Sequence, residues 1–553
     1  MKRERLHTMI KCHILLFVQL LFLFKGCRCE VFTALVDMED LLDTEHVLID
    51  TMQNYLRAEE QKIEYLKRYI DHYKEQHNKA LEDPQLYLSN PINAYTLVKR
   101  LTADWSQVET LINTNVNADA LANITYFKEN MKFPGDEDLN GAAVALMRLQ
   151  DTYRLDTSSL ARGELNGVKY SAELNAADCF ELGRQSYNNG DYYHTQLWME
   201  EAESRLKSER NRTVDYGDIL EYLAFSIYKQ GHIAQALDLT NKLLEIVPSH
   251  SRALGNRLYY EDQLKELKQK EPLKRKGDDG TDDIETNGVK FHKPNYEDPY
   301  GRDLYEALCR GEVSSPIEVQ AKLKCYYLTK NHPFLKIAPF KVEEAHLDPD
   351  LFIYHNVIAD SEIETVKRLA QPRFQRATVQ NSETGALETA QYRISKSAWL
   401  KEIEHKHVAD IAQRVADMTG LSMETAEELQ VVNYGIGGHY DPHFDFARRE
   451  EKNAFKNLGT GNRIATVLFY MSDVAQGGAT VFPVVKTALW PKKGTAAFWY
   501  NLFPSGDGDK RTRHAACPVL AGSKWVSNKW IHERGQEFLR PCTKERPPED
   551  LTA

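Results

Sequence analysis

His443 and Asp445 stand two residues apart at the end of Tyr-Gly-Ile-Gly-Gly-His-Tyr-Asp-Pro-His-Phe-Asp, residues 434–445. On an extended backbone side chains alternate, so both project from one face and can aim at one ion. The pair alone is a weak signal in a chain with 18 histidines. A third donor is available in His514, within Arg-Thr-Arg-His-Ala-Ala-Cys, and Lys524 follows ten residues later. Two imidazoles and one carboxylate leave coordination positions open. That is the donor set of non-haem Fe(II) oxygenases, whereas closed structural sites fill every position.

Such donors need strands to hold them. Lys524, Val526, Asn528, Trp530 and His532 fall on alternate positions, so one strand face carries a cation, an indole and an imidazole. An unpaired lysine is almost never buried, so an inward Lys524 is expected to meet an acidic ligand. Leu429–Tyr434, Ile464–Met471 and Thr495–Tyr500 also read as strands. Short strands with turns such as Gly477-Gly478, and no helical period between them, predict a sandwich or jelly roll. Helices are expected to flank it around Asp360–Ala370 and Ala409–Met418.

The chain has 553 residues, 42% of them hydrophobic, too many for one core, which implies three or four domains. A net charge of −11 with mixed signs argues against nucleic acid as the main partner. Lys2, Arg3, Arg5 and Lys11 precede an apolar run from Ile14 to Phe24, which reads as a cleaved signal peptide, too short to span a bilayer. Losing Cys12, Cys27 and Cys29 with it leaves Cys179, Cys309, Cys325, Cys517 and Cys542 in an oxidising compartment, an odd set with one thiol over. Asn123-Ile-Thr and Asn211-Arg-Thr are acceptor patterns for N-glycosylation.

Apolar residues from Met38 to Tyr73 recur mostly every three or four positions, which predicts a long amphipathic helix over about 33–73 with a seam, for a bundle or a coiled-coil dimer contact. A second helical block follows Pro134 and ends near Leu155. Ala176–Tyr260 reads as stacked helix pairs, with the small-residue and glycine placement of a tetratricopeptide unit over Ala224–Leu237. The charged, glycine-containing stretch from Gln263 to Pro294 reads as a linker.

Taken together, Tyr-Gly-Ile-Gly-Gly-His-Tyr-Asp-Pro-His-Phe-Asp-Phe-Ala, Gly-Thr-Gly-Asn-Arg-Ile-Ala-Thr, Gly-Gly-Ala-Thr-Val-Phe-Pro and Lys-Trp-Val-Ser-Asn-Lys-Trp-Ile-His-Glu-Arg-Gly resemble the collagen prolyl 4-hydroxylase alpha subunits. The resemblance extends through the N-terminal half. It implies a multidomain α + β chain: signal peptide 1–29, helical coiled-coil dimerisation domain 30–160 and tetratricopeptide-like peptide-binding domain 161–265. A linker and disulfide-clipped connector 266–344, a double-stranded beta-helix (jelly roll) oxygenase domain 345–542 and a tail 543–553 follow.

The same resemblance implies site roles. Fe(II) is held by His443, Asp445 and His514, and 2-oxoglutarate by Lys524, Tyr434 and Thr480, with His532 near its 1-carboxylate. Tyr440, Arg463 and Trp530 contact peptide at the iron, although Arg463 reads equally as a structural ion-pair residue. Groove positions fall on Tyr187, Tyr222, Tyr228, Arg252, Asn256 and Tyr259, while Phe225 stands where tyrosine is usual. A polyproline II ligand suits flat aromatic faces because it is already extended and leaves its carbonyls free. Implied disulfides are Cys309–Cys325 and Cys517–Cys542, with Cys179 a buried helix residue. Implied partners are a second alpha chain and protein disulfide isomerase in a heterotetramer. The chain ends Pro-Pro-Glu-Asp-Leu-Thr-Ala without a retention signal of its own, so that partner is expected to hold it in the endoplasmic reticulum lumen. Dioxygen is the second cosubstrate, and ascorbate is expected from the resemblance alone.

The expected reaction is 4-hydroxylation of prolines in collagen-type peptides, coupled to decarboxylation of 2-oxoglutarate to succinate and carbon dioxide. Three rivals remain: a peptide-binding chaperone with a vestigial oxygenase domain, a zinc hydrolase, and the same oxygenase chemistry on another acceptor. The first predicts a lost metal ligand or a lost Lys524; all four residues are present. The second gives Lys524 no work.

Overall fold

A computed structural model describes residues 30–270, 301–380, 386–451, 454–455 and 458–552. The expected signal peptide and the linker from residue 271 onward lie outside the described residues. The chain forms two compact units, residues 37–135 and the remainder.

In the smaller unit the predicted amphipathic helix is one element, Leu35–Glu82, of 48 residues. Its seam residues Leu42, Met52, Ile63 and Ile70 stay exposed in the single chain. Asp83 and Asn90 each cap a following short helix that has proline in its first turn, Pro84–Ser89 and Pro91–Lys99. Trp105–Asn113 and Ala118–Asn130 complete the unit.

The larger unit takes in the described residues up to Val36, resumes with helix Asp136–Tyr153, then stacks Ala176–Asn188, Tyr192–Ser208, Tyr216–Lys229, Ile233–Ile246 and Ser251–Lys270 in succession. Asn175 and Asp178 form a capping box, and Asp191 and Asp215 cap the next two helices. Gly231, at φ 91°, lets the chain reverse between two of them. The last helix runs through Lys270 rather than breaking at Gln263, because its Lys, Glu and Gln residues are good helix formers. Both glycosylation candidates, Asn123 and Asn211, are exposed.

The β-rich part is a sandwich. Nine antiparallel strands run in the order Cys325–Leu328, Phe340–Leu347, Asp350–His355, Thr495–Tyr500, Arg463–Tyr470, Trp525–His532, Leu429–Asn433, Lys396–Leu400 and Gln375–Arg376. A smaller sheet orders Tyr440–His443, His514–Ala516, Thr480–Phe482 and Thr487–Leu489. Along Arg463–Tyr470, Ala465, Val467 and Phe469 face helices Asp360–Ala370 and Lys406–Thr419. Leu468 and Tyr470 face the smaller sheet with Phe482, Trp499 and Ala516. This period-two division seals one face and leaves the other for the site.

The cysteine pairing differs from expectation. Cys309 is bonded to Cys517, 208 residues apart in sequence, while Cys325 and Cys542 are exposed free thiols and Cys179 is a buried free thiol. The reason is placement. Helix Arg302–Cys309 ends inside a core that contains Cys517, Ala515 and Leu520, whereas Cys325 begins an exposed edge strand.

Candidate active site

Two neighbouring strands of the smaller sheet bring the donors together. His443 pairs directly with His514 in the antiparallel register, and Asp445 follows just beyond the end of the first strand. His443 Nε2 lies 3.8 Å from Asp445 Oδ1, and His514 Nε2 lies 3.6 Å from Asp445 Oδ2. Ligand atoms of all three lie within 4.8 Å of one another. His443 Nδ1 is 2.8 Å from the Asp441 carbonyl, and His514 Nδ1 is 3.0 Å from that of Thr512. Each Nδ1–H is thereby spent on a carbonyl, which leaves both Nε2 lone pairs facing the common point.

Electrostatics keep these groups in ligand form. Burial opposes charge on Asp445, but the neighbouring His514 and the Arg463 guanidinium hold its pKa down at about 2. Burial, then the neighbouring His514, pushes His443 well below the ordinary imidazole value, so it is neutral. Thr466 donates to Asp445 Oδ2 at 2.7 Å, and Asn501 donates to the Thr466 hydroxyl at 2.9 Å. Such backing fixes the ligating carboxylate.

The adjoining cavity is lined by Arg393, Tyr434, Tyr440, Leu468, Thr480, Trp499, Val526, Asn528 and Trp530 together with the three donors and Lys524. Lys524 is only 1% exposed. Its ammonium lies 5.0 Å from the Tyr434 ring centre, and burial alone lowers its pKa to about 7. Burial raises the Tyr434 phenol to about 12, so it remains a hydrogen-bond donor at neutral pH. Thr480 accepts from the Tyr470 hydroxyl at 2.9 Å. Tyr440 stacks on His443 with ring centres 3.5 Å apart, and the Arg393 guanidinium lies 4.7 Å from the Tyr440 centre.

Two sequence-derived candidates sit otherwise. His532 is fully buried and does not line the cavity: its Nε2 contacts Glu427 at 3.0 Å and its Nδ1 contacts the Gly461 carbonyl at 2.7 Å. A register shift between Arg463 and Ala465, opposite His532, accompanies this departure from strict alternation. Arg463 pairs through two nitrogens with Glu427 and lies 3.8 Å over the Trp530 ring. It therefore touches the site through Trp530 and through the Asp445 carbonyl, to which its Nη1 donates at 3.4 Å.

The helical part carries an aromatic array. Tyr187 meets Tyr222 edge-on at 4.9 Å and Phe225 at 5.6 Å. Tyr228 meets Tyr259 at 5.8 Å, and their hydroxyls are 3.2 Å apart. Arg252 is held by Glu221 at 2.8 Å, and Asn256 is half-buried on the same helix as Arg252 and Tyr259.

The model of the prolyl 4-hydroxylase alpha-subunit N-terminal region matches residues 34–167, that of the prolyl 4-hydroxylase peptide-substrate-binding domain matches 176–266, and that of the 2OG-Fe(II) oxygenase superfamily matches 429–532. Human prolyl 4-hydroxylase subunit alpha-1 is 50% identical over 514 residues, 93% of this chain and 95% of its own. The chain belongs to the prolyl 4-hydroxylase alpha-subunit family. The Caenorhabditis elegans alpha-2 subunit is likewise 50% identical, over 94% of each chain, and the Gallus gallus alpha-1 subunit is 49% identical over 93% of this chain and 99% of its own.

Fe(II) and 2-oxoglutarate come with this family membership. The donor set fits the ion, and a largely apolar cavity wall that also carries Lys524 and Arg393 fits a dicarboxylate. Sequence reading of the family's site missed Thr466, Asn501, Glu427 and Arg393. Thr466 had a signal, as a polar residue interrupting the apolar strand Ile464–Met471. Glu427, in a loop between helix and strand, had none.

Proposed function

We propose that this chain hydroxylates C4 of proline in collagen-type, proline-rich peptides, with 2-oxoglutarate converted to succinate and carbon dioxide. The observation that carries the reading is Lys524: a buried cation with no hydrogen bond or ion pair among the described residues, lining one cavity with the three ion donors. A zinc hydrolase has no use for that charge.

Fe(II), when bound with 2-oxoglutarate, supplies the activation of dioxygen that hydroxylation requires. The protein's share is placement. Lys524 offers a counter-charge to the distal carboxylate, and the hydroxyls of Tyr434 and Thr480 offer hydrogen bonds beside it. Leu468, Val526 and Trp499 keep water out of the cavity wall, which strengthens each of those contacts. Trp530 presents an aromatic surface to a pyrrolidine ring with Arg463 stacked on the indole, and Tyr440, packed on His443, contacts the peptide beside it. His532 acts through Glu427 and Arg463 rather than by direct contact.

The aromatic array around Tyr187, Tyr222, Tyr228 and Tyr259 takes the extended peptide, and Arg252 and Asn256 offer donors to its free carbonyls. We read the exposed seam of Leu35–Glu82 as the self-association surface. Assembly with protein disulfide isomerase in the endoplasmic reticulum lumen follows from the family, as does ascorbate as reductant; the charged N-terminal leader supports the location. Among the described residues no helix is long and apolar enough to cross a membrane.

The test is succinate release by the anaerobically iron-loaded assembly with 2-oxoglutarate, oxygen and a (Pro-Pro-Gly) repeat peptide, beside His514→Ala. Peptide-dependent succinate with 4-hydroxyproline in the product, absent from the variant, supports the reading. Succinate without dependence on that peptide points to another acceptor. Peptide binding without turnover points to a chaperone.

A further inference from the structure

Glu30–Ala34 precede the long N-terminal helix and Leu35 and Val36 open it, yet all seven belong to the same compact unit as the oxygenase part. Val31, Phe32, Thr33, Ala34 and Val36 are all buried. The Ile436 amide donates to the Phe32 carbonyl at 3.1 Å. A Cβ on Gly435 would stand 1.9 Å from that same oxygen, so only glycine admits the crossing. The Val36 amide donates to Asn433 Oδ1 at 3.3 Å, across 397 residues of sequence. Asn433 is fully buried, and its Nδ2 donates to the Lys524 carbonyl at 3.4 Å. The Tyr434 amide donates to that carbonyl too, at 3.2 Å.

The other end of the segment reaches a second lining residue of the cavity, Arg393. Glu30 pairs with Arg376 at 2.8 Å, and Arg376 donates to the Arg393 carbonyl at 2.7 Å. Arg393 is the cation over Tyr440, which stacks on His443. Seven residues from the start of the described chain therefore brace the backbone of Tyr434 and Lys524 on one side and Arg393 on the other. A segment that merely filled a core would need apolar contacts alone. This one spends main-chain hydrogen bonds and a buried asparagine on residues next to the cavity.

We propose that Glu30–Val36 form a positioning strap for the 2-oxoglutarate half of the site, holding Asn433–Ile436 and hence the spacing of Tyr434 from Lys524. The inference rests on the reading that these two residues take the cosubstrate. Catalytic groups must be held to a fraction of an ångström, and a loop that follows a strand needs outside support to achieve that.

Gly141 provides a test remote from the cavity. It lies in helix Asp136–Tyr153 directly under Phe32, and a Cβ there would stand 2.2 Å from the Phe32 ring. Gly141→Ala suits the helix but evicts the ring. In the full assembly, Gly141→Ala is expected to speed hydrogen exchange at the Ile436 amide and raise the KM for 2-oxoglutarate about fivefold or more, with kcat and peptide KM within about twofold. Deleting residues 30–33 is the second variant: it should raise the same KM, and a peptide spanning residues 30–36 added in trans should lower it again. Faster exchange with an unchanged KM overturns the strap. If Gly141→Ala leaves exchange unaltered, the deletion decides, and a deletion with unchanged KM, or one that the peptide does not rescue, also overturns it. Lys524→Ala is run in parallel. A silent Lys524 variant faults the cosubstrate reading itself, whereas a responsive Lys524 beside silent strap variants faults the strap alone.

Discussion

Thr466 donates its hydroxyl hydrogen to Oδ2 of Asp445 at 2.7 Å, from a strand of the opposite sheet. The Asn501 amide fills the other side of that hydroxyl at 2.9 Å, so the carboxylate is oriented before any ion arrives. Thr466→Val keeps the shape and deletes the donor. Metal affinity is expected to fall about 10–100-fold, with the fold intact, as for other groups that orient a ligand. Titration with Co(II) or Fe(II) under anaerobic conditions, read by absorbance and beside Asn501→Ala, measures it.

Lys524 predicts opposite effects on stability and binding. Its folded pKa of about 7 lies below the ordinary 10.5, so between those values the unfolded chain holds more protons. Stability therefore rises with pH across that window through this group. Lys524→Met should raise the melting temperature of the ligand-free protein at pH 7 while raising the KM for 2-oxoglutarate by at least about 10-fold. Wild-type binding should take up a proton near neutral pH. Calorimetry in two buffers of different ionisation enthalpy detects that uptake, and its absence would count against a charged Lys524 as anchor.

Glu427 is sandwiched between Arg463 and His532, and despite burial these partners lower its pKa to about 2. Removing one member of a buried charge pair leaves the other unpaired, at a cost of about 3–5 kcal/mol. Glu427→Gln should destabilise by that order, and the double variant Glu427→Gln with Arg463→Met should recover part of the loss. Urea denaturation of the double-mutant cycle gives the coupling.

His194 ties the tetratricopeptide-like helices to helix Asp136–Tyr153. Its Nδ1 is 2.6 Å from Asp191, and its Nε2 is 3.3 Å from Asp151. Burial pushes its pKa down, but the two carboxylates outweigh burial and raise it to about 9 from 6.5. The folded state thus binds the extra proton. The stabilisation, on the order of 3 kcal/mol, is complete below pH 6.5 and is lost as pH rises through about 9. Melting temperature should drop over that range in the native chain, and His194→Gln should flatten the drop; parallel curves for the two would refute the assignment.

Local periodicity and residue chemistry by themselves determined the shared face of His443 and Asp445, the alternate face headed by Lys524, the helical segments and the jelly-roll strands. Each of those depends on neighbours within a few residues, because strand and helix geometry sets which way a side chain points; that His514 pairs with His443 is set by the sheet. The family motifs added Tyr434, Thr480 and Tyr440. Tertiary structure alone decided that Cys309 joins Cys517, that His532 turns to Glu427 instead of the cavity, and that Glu30–Val36 brace Asn433. These are contacts between segments roughly one hundred to four hundred residues apart in sequence, set by which surfaces the two sheets and the helices bring together. Spacing along the chain carries no trace of them. A buried carboxylate such as Glu427 reads as one more surface charge until its partners are folded around it.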